Sequence, residues 1–286
     1  MPLRIQSRSC RLALESVFLP QITSPALSRS FLNDHDRNSR FSGSLATRGI
    51  ATGTYVSYGL TQTLFEACSE QADYTIPKPG KGQSEVRKTK EGEDVGIGEG
   101  SWYTKLDLLP TFSSWSQVTF LHMYLLTVRL RALPSTESVR THSRHLIDHF
   151  SHNAEHRMAT LHGISSRSIR NRYLKDLFLQ WRGVLAAYDE GLAKDSDAVL
   201  AAAVWRNIWK GAHRVPTMSE TPDGGICIEE KEVDWTQIAT VVAYMRRVLA
   251  ELARVDDADL VLIGEEWEGR RPVFGLRESD FALARM

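Results

Sequence analysis

Residues 145 to 156 read HLIDHFSHNAEH, which puts four histidines and two carboxylates within little more than three helical turns. Imidazoles and carboxylates are the ligands of zinc and di-iron centres, and an imidazole can also act as a general base near neutral pH. At 100° per residue, His145, His149, His152 and His156 fall within about 60° of one another, a ladder at i, i+4, i+7 and i+11. The apolar residues of the same stretch, Val139, Leu146, Ile147, Phe150, Ala154 and Leu161, centre about 140° away. The ladder is therefore expected to face away from the core, whereas a metal needs ligands that converge on a sheltered cavity. The chain contains no Glu-x-x-His or His-Glu-x-x-His. It also lacks a Gly-x-Ser-x-Gly elbow and a phosphate loop, and no strand pattern precedes Gly96-Ile97-Gly98-Glu99-Gly100. Cys10, Cys68 and Cys227 lie far apart with no CxxC pair, which supports neither a disulfide framework nor a cysteine zinc site. No cofactor or metal is expected, and the residues favour a protein that is not an enzyme.

The elements around this ladder read as helix after helix. Residues 113–132 are apolar over most of their circumference, the pattern of a buried central helix, but His122 and Arg129 interrupt the run before it could span a bilayer. Residues 136–161 follow, closed by Gly163. The next helix runs from Ser168 to Gly191 with Ser165 or Ser166 as cap. Its face of Ile169, Tyr173, Leu174, Leu177, Phe178, Trp181, Val184, Leu185 and Tyr188 should pack inward, with Arg172, Lys175 and Arg182 opposite. Residues 197–209 form a short helix rich in alanine. Residues 212–233 interrupt with Pro, Gly and acids, and Asp234 opens a last clear helix. The fold expected is all-α, a single multi-helix domain over 101–255.

The flanks differ in composition. Residues 1–50 hold seven arginines, no lysine, nine serines and three acids. That is the composition of a mitochondrial transit peptide, and one is expected over 1–52. A short amphipathic helix is expected over 53–74, then a flexible linker over 75–100, where Pro, Gly and charge leave almost nothing apolar to bury. Residues 256–286 read as a C-terminal tail. The whole chain is formally neutral, yet residues 129–182 carry ten Lys/Arg against four Asp/Glu, and residues 219–286 carry fifteen Asp/Glu against eight Lys/Arg. The middle is basic and the end acidic.

Two groups of residues stand out as candidate contacts. Arg170 lies at the wheel angle of its helix's apolar stripe; it either snorkels or pairs with an acid such as Asp176 or Asp189, or it touches a bound chain. With Trp115, His122, Tyr173 and Trp181 it makes up the candidate contacts for a partner or client on the helix pair 113–132 and 165–190. Arg129, Arg131, Arg167, Arg172, Lys175 and Arg182 are the cations that would suit RNA phosphate or an acidic partner.

The blocks LPTFSSWSQVTFLHMYLLTVRLRALP (109–134), LIDHFSHNAEHRM (146–158), ISSRSIRNRYLKDLFLQWRGVLAAYDEGL (164–192) and DAVLAAAVWRNIW (197–209) resemble the ubiquinol-cytochrome c chaperone family in its fungal form. The resemblance covers roughly residues 100–255. It implies a helical, non-enzymatic assembly factor of respiratory complex III, peripheral to the inner membrane on the mitochondrial matrix side. Its partners would be a small partner assembly factor, nascent cytochrome b, and RNA or protein of the mitochondrial ribosome near the tunnel exit. The rival readings are a helical metal-dependent or quinone-modifying enzyme and a structural respiratory subunit.

Overall fold

In the computed structural model, residues 45–77, 86–220, 226–264, 266 and 271–284 are described, excepting the side chains of 45–55, Glu220 and Ile226. The chain from Arg48 onward groups as one unit. Its helices are α1 (Leu45–Ser69), α2 (Ser101–Thr104), α3 (Phe112–Leu130), α4 (Thr136–Thr160), α5 (Arg167–Ala193), α6 (Asp197–Ile208), α7 (Trp235–Leu252) and α8 (Glu278–Leu283). Strands β1 (Arg214–Glu220) and β2 (Ile226–Glu232) lie between α6 and α7.

The centre is α3. Thr111 caps its first turn by accepting from the Ser114 N–H at 3.2 Å, and every side chain from Trp115 to Thr127 is buried. A helix apolar on all sides can be satisfied only by neighbours on all sides. Accordingly α4, α5, α6 and α7 all pack against it. Ser135, Ser196 and Asp234 cap α4, α6 and α7 in the same way, each holding an orphan N–H of its first turn. Gly163, at φ 63°, lets the chain turn away after α4, a conformation costly for any residue with a Cβ.

The domain is predominantly helical but not strictly all-α. Residues 214–232 form an antiparallel hairpin in the register Arg214↔Glu232 through Glu220↔Ile226. Val215 and Thr217 turn inward and Met218 outward, the period of two that the surrounding Pro, Gly and acids obscure in the sequence. Pro216 is tolerated because a two-stranded sheet has only edge strands.

Two stretches expected to be loose are packed where they are described. In the expected linker, Thr75 pairs with Ile97 and Lys88 with Asp94, and Val95 is buried. A Cβ on Gly96 would lie 2.3 Å from the Thr75 carbonyl oxygen, so only glycine fits that approach. Few apolar residues sufficed because the strap borrows the core's surface instead of building its own. Residues 78–85 lie outside the described residues, as do residues 1–44 of the expected transit peptide. The short helix begins earlier than expected and ends at Ser69.

The expected tail is likewise docked. Asp280 is fully buried and binds Arg247 through both oxygens, at 2.8 and 3.0 Å. Arg277 grips Glu251 at 2.5 and 3.0 Å, and the Phe274 ring meets His122 edge-on at 4.9 Å.

Candidate interaction surface

Helix α5 buries Leu177, Trp181, Val184 and Tyr188, one side of the broad apolar face read from the sequence. The flanks of that face stay open. Ile169, Tyr173 and Phe178 are 48%, 49% and 47% exposed, and Leu179 is 63% exposed. Burying such side chains favours association, so a helix that leaves four of them in water has apolar surface to offer a partner. Arg172, Lys175, Leu179 and Arg182 share the outward stripe at spacings of three and four. Arg167, Arg172, Lys175 and Arg182 are exposed and form no ion pair among the described residues. Hydrophobic contact and positive charge thus coincide on one helix.

The remaining residues singled out from the sequence sit elsewhere. Trp115, His122 and Trp181 are inside the core and cannot touch a partner of the folded unit. Trp115 stacks on Phe150 at 5.6 Å and takes the Arg157 guanidinium over its ring at 4.4 Å. His122 Nδ1 lies 2.7 Å from the Val118 carbonyl, to which it must donate, so Nε2 accepts from the Tyr244 hydroxyl at 2.6 Å. Burial pulls this imidazole down to about 4, against the smaller upward pull of the Val118 bond, and keeps it neutral.

Two of the cations are also engaged. Arg129 donates to the Leu252 and Val255 carbonyls at 3.0 and 2.8 Å and to Asp257 at 2.5 Å, closing the C-terminus of α7. Arg131 forms a bidentate pair with Asp189, at 2.6 and 3.0 Å. Arg170 pairs with neither Asp176 nor Asp189. Its guanidinium folds back to the Ile164 and Ser165 carbonyls at 2.9 and 2.6 Å and to Glu155 at 3.2 Å. Ser166 makes no side-chain cap bond, and Arg170, together with the Ile164 N–H donating to the Met158 carbonyl at 2.9 Å, ties down the chain entering α5.

The histidine ladder divides. His152 and His156 face solvent as the wheel predicts, but His145 and His149 are covered by α1. His149 Nε2 meets the Thr61 hydroxyl at 3.3 Å and the Tyr58 carbonyl at 3.2 Å, and the Tyr58 ring lies against both imidazoles. The wheel could not foresee a cover arriving from some ninety residues upstream. Among the described residues, no three His, Cys, Asp or Glu side chains converge on a metal-sized site.

Sequence reasoning missed a cleft of about 390 Å³ between the strap and the α4–α5 corner, whose lining includes Phe112, Met158, Ile164 and Tyr173. On its wall His162 bridges Asp94 (Nδ1, 3.0 Å) and the Tyr74 hydroxyl (Nε2, 2.7 Å). Desolvation opposes the charge of Asp94, but hydrogen bonds from His162 and Lys88 prevail and hold its carboxyl below the usual range. Burial pushes the Tyr74 phenol up, and this chain of bonds fastens the strap to the end of α4. Its three members are distant in sequence and carry no local signal.

Surface and core together match a known kind of protein. The ubiquinol-cytochrome C chaperone family model matches residues 104–267. The chain belongs to that family. The match runs past residue 255 into the packed C-terminal segment. Among relatives of this chaperone family, Protein CBP3, mitochondrial, from Saccharomyces cerevisiae is 35% identical over 169 residues, 58% of this chain and 44% of the yeast protein. Ubiquinol-cytochrome-c reductase complex assembly factor 1 from Xenopus laevis is 26% identical over 166 residues, 57% of this chain and 70% of that one. The matched stretch thus spans less than half the length of the yeast relative. The crystal structure of the Cbp3 homolog from Brucella abortus superposes with a TM-score of 0.50 at 16% identity, covering 76% of this chain and 93% of that one. The fold is shared across that distance. No described helix is long and apolar enough to cross a membrane.

Proposed function

We infer that this protein is a non-enzymatic assembly factor for ubiquinol-cytochrome c reductase. In this reading it works on the matrix side of the mitochondrial inner membrane, receives newly made cytochrome b near the mitochondrial ribosome, and acts with a small partner assembly factor. Family membership supports the assembly role. The observation that carries the surface assignment is the uncovered flank of α5, where Ile169, Tyr173, Phe178 and Leu179 stand exposed beside Arg172, Lys175 and Arg182. A chaperone for a chain of apolar helices needs apolar surface to shield them, and docking at a ribosome is helped by cations that meet phosphate. With Trp115, His122 and Trp181 enclosed, the α5 flank takes the client or partner in this reading, and Arg167, Arg172, Lys175 and Arg182 take RNA or an acidic partner.

Photocrosslinking probes at positions 169, 178 and 182 in isolated mitochondria test this. Capture of cytochrome b at 169 or 178 and of ribosomal components at 182 is the expected outcome. Capture of neither from any of the three would overturn the assignment.

A further inference from the structure

The exposed apolar side chains of α5 do not all point one way. At 100° per residue Tyr173 and Phe178 stand about 140° apart, so no single flat surface such as a bilayer covers both. Phe178 belongs to the seam between α4 and α5. There Ile147, Leu174 and Phe178 line a recess over the buried Phe120, Phe150 and Trp181. Ile147 and Leu174 are half-buried and Phe178 is 47% exposed, so the seam is a groove with apolar walls. The polar side chain in that lining, Ser151, donates to the Ile147 carbonyl at 2.8 Å and leaves no hydroxyl proton for a base or sugar.

The rims of the groove carry cations. On α4, Arg140 and Arg144 lie about 20° and 60° round the wheel from Ile147, and on α5, Arg182 and Lys175 lie about 40° and 60° from Phe178. All four are exposed and form no ion pair among the described residues. Measured from the Glu155–Arg170 pair beside the α4–α5 turn, Arg144 and Arg182 lie at nearly the same distance along their helices and so stand level. Two like charges level across an apolar floor are relieved by a carboxylate placed between them.

The acids of the two helices do not supply it. Glu155, Asp189 and Glu190 are engaged by Arg170, Arg131 and Lys194. Asp176 lies about 160° round from Phe178, and Glu137 is about three turns before Ile147. Asp148, a turn beyond Arg144, is the near one, and it is not in ion-pair contact with that guanidinium. The rims thus hold four unpaired cations against one unpaired acid. RNA would satisfy those cations and leave the apolar floor wet, whereas an apolar helix without acids would cover the floor and leave the cations unpaired.

We propose that the α4–α5 groove takes an amphipathic α-helix of another polypeptide, with its apolar stripe on Ile147, Leu174 and Phe178 and its flanking carboxylates on the rim cations. This rests on the α5 surface assigned above and narrows its partner: on the Phe178 side the occupant is an acidic helix.

Fluorescence anisotropy of the full chain tests the proposal, with a labelled helical peptide of about eighteen residues that carries leucines at spacings of three and four and glutamates beside them. Arg144→Gln with Arg182→Gln, two exposed side chains without partners, weakens binding about tenfold and flattens its salt dependence. Phe178→Ala weakens it by a similar factor, and melting curves show that both variants remain folded. Arg172→Gln, about 120° round the helix from Phe178, leaves it within about twofold. Unchanged peptide affinity in the Arg144, Arg182 pair overturns the groove. So does tighter binding of an oligouridine RNA or of anionic vesicles than of the peptide, when that binding is lost in the same pair. If crosslinks at 169 and 178 capture cytochrome b while the peptide ignores the groove substitutions, this inference fails and the functional reading stands; groove-dependent peptide binding with no such capture supports the groove and fails the functional reading alone.

Discussion

Arg170→Ala separates a structural arginine from a recognition one. The guanidinium is 15% exposed and makes three contacts, to the Ile164 and Ser165 carbonyls and to Glu155. A hydrogen bond from a charged donor contributes about 1.5–3 kcal/mol when protected from water. Water can replace part of the Ser165 bond, so the two backbone bonds together contribute about 2 kcal/mol. The Glu155 partner is 35% exposed, and a pair that open adds about 0.5 kcal/mol. For a domain of this size each kcal/mol moves Tm by about 2–4 °C, so Arg170→Ala should lower Tm by roughly 5–10 °C. Arg170→Lys should lie between, since an ammonium cannot span two carbonyls and a carboxylate in one plane. Thermal melts give the stability, and crosslinking of the same variants in mitochondria gives partner capture at temperatures where they stay folded. A variant with wild-type Tm and lost capture would refute the reasoning, because the side chain would then serve the partner and not the α4–α5 turn.

Stability should fall in acid through His122. Its folded pKa of about 4 lies below the unfolded value of 6.5, so the unfolded chain takes up the proton first. No penalty exists above pH 6.5; it grows as pH drops and reaches about 3 kcal/mol near pH 4, read as a declining urea midpoint. His122→Phe should flatten that decline while costing about 1–3 kcal/mol at pH 7, because Tyr244 loses its acceptor. Asp280→Ala should cost about 2–3 kcal/mol, because Arg247 keeps its Glu251 contact at 3.3 Å but loses both bonds to the buried carboxylate, and limited proteolysis should then cut within 271–284. Gly96→Ala should release the strap, seen as faster hydrogen exchange at the Gly96 and Ile97 amides, which donate to Pro110 and Thr75. Unchanged exchange at those amides would mean the strap is held by something other than that close approach.

The helices were legible because their signals are local. Apolar spacing and a cap such as Asp234 lie within a turn or two of what they specify, although Ser166, read as a cap in the same way, makes no side-chain bond. Arg170 was conspicuous for the same reason: a charge in an apolar stripe violates a one-helix rule, and the helix entry it secures is only a few residues away. What the sequence hid depends on distant contacts. His145 and His149 lie on the polar side of α4, and only the arrival of Tyr58 and Thr61 makes that side an interior. The strap has a composition that buries little by itself, and the buried Leu260, Ile263 and Phe274 of the C-terminal segment reach a core built by distant helices; pairs such as Asp94–His162 and Arg247–Asp280 fasten both.

Whether a candidate residue is available to a partner is decided by the count of neighbours its helix can have. An all-round apolar helix such as α3 must be enclosed, so the same pattern that marks it as central removes Trp115 and His122 from any surface. A helix with a half-wheel of apolar residues has a different accounting: the core takes as much width as the adjacent helices can reach, and the rest stays outside. On α5 the neighbours α3, α4 and α6 reach Leu177, Trp181, Val184 and Tyr188 but leave Ile169, Tyr173 and Phe178 at the margins. Surplus apolar width beside unpaired cations is unfavourable for a solitary protein, since it gains nothing in stability and invites association. It becomes favourable once a partner covers it. Replacing Leu179, 63% exposed, by Ser should therefore change the Tm of the isolated protein by no more than about 2 °C while weakening partner capture, and a large loss of Tm would place that surface in the core's service instead.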